Sequence, residues 1–462
     1  MSLLQWIEQI NKSVNSVIWG PVLLIILAGS GIYFTLRTGF FQLRKTGEIF
    51  RCTLGSLFGK NKADKASKDK HAITPFQAMT TALAGTLGTG NLVGVATAIV
   101  LGGPGAVFWM WVSAFFGMMT KYAEVLLSIQ YRKKGEDGRW RGGPMYYIRD
   151  GLGLKWLAGL FAVFCILASF GIGNMAQANS AAGALKSAFG FDPKITGVLM
   201  AALIGIIIIG GIKRIAQITE KFIPFMAIFY VAGAVIVLIA NAGQLPNAFK
   251  MIFEGAFRLE AVGGGAAGYV LANAFRYGFA RGVFSNEAGL GSAPIAHAAA
   301  DTDSPVKQGM WGIFEVFADT IVMCTLTTLV ILTSGIWDCG LDGIELTSAA
   351  FAQTFGDFAT YFIGVSTVFF AVSTIVSWSY YGERCVEYLF KQKSAILVYR
   401  LFFILLVVVG SNVGLRLVWD ISDTLNGLMA IPNLIGVIGL SGVVFAATRE
   451  YSREHKKEKQ RP

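Results

Sequence analysis

Long apolar runs separated by short polar segments dominate the sequence. We predict that eleven of these runs are membrane-spanning helices, because each is about as long as the ~20 apolar residues that a helix needs to cross the hydrocarbon of a bilayer. The predicted spans are 17–36, 76–101, 104–129, 155–180, 195–212, 214–241, 266–299, 308–335, 357–381, 395–412 and 418–447. The pattern therefore predicts an all-α integral membrane protein.

Two of the predicted spans are interrupted. The second contains AGTLGTGNLVG at 84–94, and the seventh contains GFARGVFSNEAGLGSAP at 278–294. Glycine in a helix interior costs about 1 kcal/mol relative to alanine, and backbone that leaves the helix is tolerated in a membrane only where it lines a cavity or is buried in protein. Close helix packing through the GxxxG pair Gly90 and Gly94 is the alternative explanation for the second span.

The two interruptions lie five spans apart, in helices that enter the membrane from opposite sides. Helices 2–6 and 7–11 are therefore predicted to be two five-helix units of inverted topology, a pattern typical of transporters whose binding site lies at the midplane. The predicted divisions are an extra N-terminal helix at 1–36, a basic loop at 37–75, the two repeats at 76–241 and 242–447, and a basic tail at 448–462.

Composition and charge agree with a membrane environment. Hydrophobic residues make up 54% of the 462, mean hydropathy is +0.58, and 15% are charged, against ~25% in soluble domains. The net charge of +11 does not indicate a nucleic-acid partner, because the basic residues lie between apolar runs. Nine of the 39 lysines and arginines lie in 37–75 and six in 448–462. The positive-inside rule then places the N-terminus outside and the C-terminus in the cytoplasm of a cell membrane.

Three other classes of protein fit the sequence poorly. A primary pump needs a nucleotide site, and no GxxxxGK[ST] motif occurs. An enzyme needs a nucleophile–base or metal constellation, which the spans do not offer. A channel also uses glycine-rich breaks, but it needs a continuous pore and usually symmetric subunits. We therefore expect neither an enzyme nor an organic cofactor.

Four segments resemble blocks of the alanine or glycine:cation symporter family, also called sodium:alanine symporters. They are GGPGAVFWMWVSAFFG at 102–117, RGGPMYYI at 141–148, GNMAQANS at 173–180 and GVFSNEAGLGSAP at 282–294. The resemblance implies a LeuT-type fold and uptake of alanine, glycine or a similar neutral amino acid together with Na+. A proton-coupled carrier, or one that prefers glutamine or serine, is the alternative within the same fold.

A zwitterion at the midplane needs donors for its carboxylate and acceptors for its ammonium group. The interrupted second span carries no lysine or arginine, so we expect backbone amides at the helix break to bind the carboxylate. The residues assigned to this role are Thr86, Leu87, Gly88, Thr89 and Gly90. The family resemblance implies a substrate-contacting glutamine at Gln177, beside Asn174. A buried amide must be paired, so the alternative is that Gln177 ties two helices together.

Aromatic side chains are expected to limit the size of the pocket. Trp378 and Phe279 are the candidates, with Phe284 as the rival of Phe279. Ordinary helix packing is the alternative explanation for such residues in membrane helices.

Sodium is expected to bind oxygen ligands at the same break. The resemblance pairs the hydroxyls of Ser373 and Thr374 with the carbonyls of Ala84 and Leu87, whereas serine and threonine often bond back to their own helix. Asn91 is predicted either to serve a second ion or to brace the break.

Three pairs of charged residues lie within predicted spans. They are Lys121 with Glu124, Arg281 with Glu287, and Glu315 with Asp319. Charges in spans are expected to be functional. We predict anchors or gate pairs, with Glu315 and Asp319 as the candidate coupling residues.

Overall fold

The computed structural model describes residues 3–58, 69–257, 266–412 and 415–459. Within those ranges the chain forms twenty-three α-helices: α1 Leu3–Ile18, α2 Pro21–Arg37, α3 Phe41–Arg44, α4 Thr46–Cys52, α5 Leu54–Phe58, α6 Pro75–Thr86, α7 Val93–Gly102, α8 Ala106–Gln130, α9 Pro144–Leu152, α10 Lys155–Phe170, α11 Ala176–Phe189, α12 Pro193–Ile209, α13 Gly211–Ala240, α14 Leu245–Phe257, α15 Ala266–Asn286, α16 Ala293–His297, α17 Pro305–Val316, α18 Thr325–Thr333, α19 Gly343–Phe355, α20 Phe358–Phe390, α21 Lys393–Gly410, α22 Leu415–Gly439 and α23 Ser441–Lys459. A hairpin of two short strands, β1 Lys133–Lys134 and β2 Trp140–Arg141, joins α8 to α9.

Eight helical stretches of the described residues are long and apolar enough to cross a membrane. They are Glu8–Arg37, Ala106–Gln130, Lys155–Phe189, Gly211–Ala240, Pro305–Thr333, Phe358–Phe390, Lys393–Gly410 and Trp419–Gly439. The pair Pro75–Thr86 and Thr89–Gly102, bent by 58°, makes a ninth if it is counted as one span. The all-helical prediction is confirmed.

The two remaining predicted spans do not form single long apolar helices. The run 195–212 forms Pro193–Ile209, a shorter apolar helix. The run 266–299 forms α15, a loop and the five-residue α16. The count of eleven spans and the inverted repeat therefore stay predictions.

Local sequence signals place the start and the end of α6. Thr74 and Gln77 form a reciprocal capping box, and Pro75 occupies the first turn, where its missing N–H costs nothing. The last α-helical bond joins the amide of Leu87 to the carbonyl of Leu83 at 2.7 Å. Gly88 is then extended, with φ −123° and ψ −161°. The chain resumes as a 3₁₀ turn over Thr89–Asn91 before α7.

The second interruption follows Asn286, within the predicted range 278–294. Gly289 and Gly291 have φ of +94° and +84°, backbone conformations that favour glycine because it has no Cβ. Glu287 has φ +55°, which is uncommon for a residue with a side chain. The loop therefore turns the chain sharply between α15 and α16 and fixes the position of Glu287.

Two other helices contain π-helical segments. Gly171–Met175 joins α10 to α11, and Phe317–Cys324 joins α17 to α18. Such segments occur mostly as short bulges within α-helices, frequently at functional sites. Both segments contribute buried polar side chains, Asn174 and Asp319.

The interrupted helices lie inside the protein. The long helix α8 packs against α15 and α17, and α20 packs against α6, α10 and α11. Large apolar side chains of α12, α13 and α21 are exposed, including Leu199, Ile228 and Val398. An apolar exterior around a polar interior is what a lipid environment requires.

Candidate functional site

The break between α6 and α7 is the centre of the site. Every residue from Ala84 to Asn91 is buried. The side chain of Asn91 stabilises the break, because its Oδ1 accepts a hydrogen bond from the amide of Gly88 at 3.1 Å. The predicted interruption of the second span is present, and Asn91 contacts it through this bond.

Two hydroxyls of α20 face two carbonyls of the break. Thr374 Oγ1 lies 3.1 Å from the carbonyl oxygen of Ala84 and 3.5 Å from that of Leu87. Ser373 Oγ lies 3.5 Å from the Leu87 oxygen but only 2.8 Å from the carbonyl of Phe370 in its own helix. The structure thus brings together the four oxygen-bearing residues that the resemblance implied for sodium, with Thr374 the more directly aimed of the two hydroxyls.

Gln177 of α11 also contacts the break. Its Oε1 accepts from Thr89 Oγ1 at 3.0 Å and from the Thr89 amide at 3.3 Å, and its Nε2 donates to the carbonyl of Ile172 at 3.1 Å. Through these bonds Gln177 ties α11 to the break, which was the alternative to a role in substrate binding. A ligand at the break would therefore have to share or exchange these bonds with Gln177.

Gly88 is confined between the two groups just described. A Cβ atom built on Gly88 would lie 2.7 Å from Thr374 Oγ1 and 3.4 Å from Gln177 Oε1. Gly90 is less crowded, since its nearest neighbour would be a ring carbon of Phe284 at 3.6 Å. The backbone at Gly88 is thus in close contact with both the candidate sodium ligands and the candidate substrate ligand.

Asn174 points away from the break, toward α21. Its Nδ2 donates to the carbonyl of Phe403 at 2.7 Å. Its buried Oδ1 has no hydrogen-bond partner among the described residues. The structure gives Asn174 a bracing contact within the π segment and leaves one acceptor for another group.

Asp319 is a fully buried carboxylate beside the break. Its oxygens accept hydrogen bonds from Asn91 Nδ2 at 2.8 Å, Ser285 Oγ at 2.9 Å and Thr320 Oγ1 at 2.8 Å. No lysine, arginine or histidine within the described ranges forms an ion pair with it. A buried charge is costly unless it is paired, so this carboxylate suits a position next to a cation. The sequence signal for Asp319 was a carboxylate in an apolar run, but nothing in the sequence indicated Ser285 as its partner.

The aromatic candidates have different surroundings. Trp378 is completely buried, and its Nε1 donates to Glu287 Oε1 in the second break at 3.1 Å. Phe284, not Phe279, is the ring that faces Gly90. Phe279 lies five residues earlier in α15 and packs against the ring of Phe275 at 5.7 Å. The sequence left open which of the two phenylalanines lies next to the break, and the structure favours Phe284.

A cavity of about 840 Å³ leads toward the site from the side that the charge pattern predicts to be external. Its lining includes Val93, Asn179, Arg281, Asp342, Trp419 and Asp423. Arg281 and Asp423 form an ion pair at 3.4 Å. The ring of Phe284 packs against Trp419 at 5.9 Å, so Phe284 lies between the cavity lining and Gly90. A small solute entering the cavity would meet this aromatic and charged layer first.

A network of buried charges fills the opposite half of the protein. Lys121 pairs with Glu315 at 3.3 Å, and Glu315 also contacts His297 Nε2 at 3.2 Å. Glu124 instead accepts from Asn433, whose Nδ2 also bonds the carbonyl of Gly289 at 2.9 Å. The network therefore joins α8, α17 and α22 to the second break.

These contacts correct the pairs suggested by spacing along the chain. Lys121 pairs with Glu315, not with Glu124 one turn away. Arg281 pairs with Asp423, whereas Glu287 accepts from Trp378 and from Ser292. Lys121 and Arg281 therefore have their partners on other helices, α17 and α22, which spacing along the chain does not indicate.

A broken helix at the centre of the bundle, between a cavity and a network of buried charges, is an arrangement found in the LeuT fold. The structure of MhsT in complex with L-phenylalanine superposes with a TM-score of 0.55, covering 82% of this chain and 98% of that one at 13% identity. That likeness shows the fold.

The chain belongs to the sodium:alanine symporter family, which it matches over residues 4–462. It is 47% identical to the sodium/alanine symporter AgcS of Methanococcus maripaludis over 455 residues, 97% of this chain and 98% of that protein. It is 40% identical to the probable sodium/glutamine symporter GlnT of Bacillus subtilis over 454 residues, 98% of this chain and 92% of that protein. The family resemblance seen in the sequence motifs is confirmed.

Proposed function

We propose that this protein is a symporter that couples the entry of Na+ to the uptake of a small neutral amino acid of the alanine and glycine class. The observation that carries the proposal is the meeting of the Thr374 hydroxyl with the carbonyls of Ala84 and Leu87 at a helix break. Unwound backbone carbonyls are the ligands that transporters of this type offer to Na+. The relatives AgcS, a sodium/alanine symporter, and GlnT, a probable sodium/glutamine symporter, support sodium coupling.

The amino acid is proposed to bind on the other side of the same break. The segment Thr86–Gly90 has no basic side chain, so its amides and the positive end of α7 would receive the substrate carboxylate. Gln177, which already reaches the amide of Thr89, would exchange part of that bond for substrate. Trp378 and Phe284 would limit the size of the substrate side chain.

Coupling follows from the shared backbone. Leu87 offers its carbonyl to the proposed sodium site, and Gly88 to Gly90 form the proposed carboxylate site directly after it. An ion that orders Leu87 also orders the amides that follow, so each ligand raises the affinity for the other. The same reciprocity makes sodium-free transport inefficient.

Alternating access is supported by the asymmetry of the two halves. The 840 Å³ cavity approaches the break from one side, while the buried Lys121–Glu315 pair lies on the other side. With the basic segments in the cytoplasm, the N-terminus lies outside and the described conformation faces outward. Transport then requires the network to open and the cavity above Phe284 to close.

The deciding experiment is uptake into proteoliposomes with a panel of labelled amino acids and with Na+, K+ or choline outside. Alanine or glycine uptake that requires Na+ and shows counterflow against unlabelled substrate is the expected result. Uptake that proceeds equally in choline would overturn sodium coupling. A preference for glutamine, the substrate in the name of GlnT, would overturn the assigned substrate class while leaving the mechanism intact.

Gln177→Ala tests the substrate site within that assay. We expect substrate binding to be lost while expression and folding are retained. Asn241→Ala is the matched control, because Asn241 is also a helix-tying amide, bonded to the Val237 carbonyl and to Thr354 Oγ1 at 2.9 Å each. Unchanged uptake by Gln177→Ala would remove Gln177 from the site.

A further inference from the structure

A second cavity, of about 530 Å³, opens where the first and last apolar spans end on the same side of the protein. Its walls come from the end of α2, from α3 and from α23. The ends of these helices are held together by the packing of Phe34 on Phe445 at 5.6 Å and by a contact of Tyr33 Oη with Ser441 Oγ at 3.4 Å. None of its lining residues belongs to the transport site.

Basic side chains converge on this cavity. Its lining includes Arg37, Arg44, Lys45, Arg449, Arg453 and His455. The positive-inside rule explains why basic residues are frequent on this face. It does not explain why five lysines and arginines from three separate elements surround one concavity.

Little negative charge offsets these residues. Lys45 pairs with Glu48 at 2.7 Å. Burial raises the pKa of Glu48, but hydrogen bonds from Lys45 and Tyr451 outweigh this effect and leave the pKa below its ordinary value, so Glu48 is charged. The four arginines make no ion pair with any residue of the described ranges. The cavity therefore carries a positive charge that a bound anion would neutralise.

Contacts of the arginines hold them near the cavity without neutralising them. The guanidinium of Arg37 lies over the ring of Phe445, 5.3 Å from its centre. Arg44 Nη1 donates to the carbonyl of Gly39 at 3.2 Å, and Arg449 Nε to that of Phe445 at 3.3 Å. Each of these side chains keeps further N–H groups available, and an arginine presents up to five.

Exposed apolar residues border the basic cavity. Leu36 and Leu43 are each 58% exposed, and Phe40 is 40% exposed. Leu36 directly precedes Arg37, Leu43 directly precedes Arg44, and Phe40 lies between these two pairs in the chain. Apolar side chains next to guanidinium groups at the end of a membrane span suit a ligand that is anionic at one end and apolar at the other.

We propose that this cavity binds the phosphate headgroup of an anionic phospholipid, with the acyl chains lying against Leu36, Phe40 and Leu43. Phosphate oxygens match the planar, multiply donating guanidinium groups. Free phosphate shares this headgroup chemistry, but it would leave the three apolar side chains uncovered. The site is separate from the transport cavity and gives the protein a specific lipid contact at the membrane surface.

The test is lipid retention by the full chain, measured by native mass spectrometry in detergent with added phosphatidylglycerol, phosphatidylcholine or inorganic phosphate. The variant Arg449→Gln/Arg453→Gln removes two cavity charges. Lys391→Gln/Lys393→Gln is the matched control, because both lysines are exposed and no ion pair within the described ranges involves them. We expect about 30-fold weaker retention of phosphatidylglycerol by the arginine variant, since each basic residue near an anionic lipid contributes about a factor of five.

The control should retain phosphatidylglycerol like the wild type, and phosphatidylcholine should bind neither protein specifically. Equal retention by the arginine variant and the control would overturn the proposal. Displacement of the lipid by millimolar inorganic phosphate would also overturn it, because the free anion would then be the better ligand. A thermal unfolding scan of each variant shows whether the fold is intact, so that loss of lipid cannot be confused with loss of structure.

Discussion

Asn91 connects the broken helix to the buried carboxylate of Asp319. Its Nδ2 lies 2.8 Å from Asp319 Oδ1, and its Oδ1 accepts from the amide of Gly88 at 3.1 Å. One side chain therefore orients both a charge and the backbone that is proposed to bind substrate. A change in the charge of Asp319 should reach the break through this amide.

Asp319→Asn removes the charge and keeps nearly the same shape. We expect the sodium concentration for half-maximal uptake to rise at least tenfold, because a nearby carboxylate stabilises a bound cation. Sodium titration of uptake in proteoliposomes measures the shift. Asp357→Asn, at an exposed position before α20, should leave the titration unchanged. An unaltered titration for Asp319→Asn would show that the carboxylate has no role in coupling.

The hydroxyl of Thr374 can be removed without changing the volume of the side chain. Thr374→Val should raise the sodium concentration for half-maximal uptake by about tenfold or more, since a lost hydrogen-bonding or ligand group is worth about 1–3 kcal/mol. Thr374→Ser keeps the oxygen, so its sodium concentration for half-maximal uptake should stay within about threefold of the wild-type value. A Thr374→Val variant with the sodium dependence of the wild type would show that the hydroxyl is not a ligand, and the sodium assignment would fail.

Gly88 and Gly90 provide a matched pair of glycines two residues apart. Gly88→Ala should abolish uptake, because the new methyl group would lie 2.7 Å from Thr374 Oγ1, whereas Gly90→Ala meets only an ordinary contact at 3.6 Å. Initial uptake rates and the amount of folded protein after size-exclusion chromatography are the measurements. An uptake rate for Gly88→Ala as high as that of the wild type would mean that the break is wider than the structure shows.

The cavity and the predicted orientation can be tested by cysteine labelling. In a Cys339→Ser background, Ser187→Cys lies in the 840 Å³ cavity and should react with a membrane-impermeant maleimide added outside intact cells. Ser452→Cys lies in the basic cavity on the other side and should react only after the cells are permeabilised. The reverse labelling pattern would show that the orientation in the membrane is opposite to the predicted one. Slower labelling of Ser187→Cys with Na+ and substrate present is expected if the cavity closes on binding.

The sequence predicted the place of each interruption but not the contacts made there. Glycines at 84–94 and 278–294 were sufficient to locate the breaks, because backbone that leaves the helix needs residues without a Cβ. The meeting of Thr374 with Ala84, 290 residues away along the chain, was expected only through the resemblance to a known family. No local pattern links two residues at that separation.

The partners of the buried charged residues also could not be predicted from the sequence. Spacing suggested Lys121 with Glu124, yet Lys121 reaches Glu315, 194 residues away. Similarly, Phe279 and Phe284 could not be separated from the sequence, because the answer depends on which side of α15 faces Gly90. Helical periodicity indicates which residues share a face, but the identity of the opposing helix is set by tertiary packing.

The π-helical segments at Gly171–Met175 and Phe317–Cys324 have a consequence for tolerance to mutation. A π turn holds one residue more than an α turn, so deleting a single residue from either segment would restore regular α-helical pairing. Successive residues of an α-helix are about 100° apart around its axis. The deletion would therefore rotate Asn174 or Asp319 around the helix axis relative to one of the two flanking helices. A change in the length of either segment would thus displace a buried polar side chain without replacing it, which makes the register of the chain a functional property in its own right.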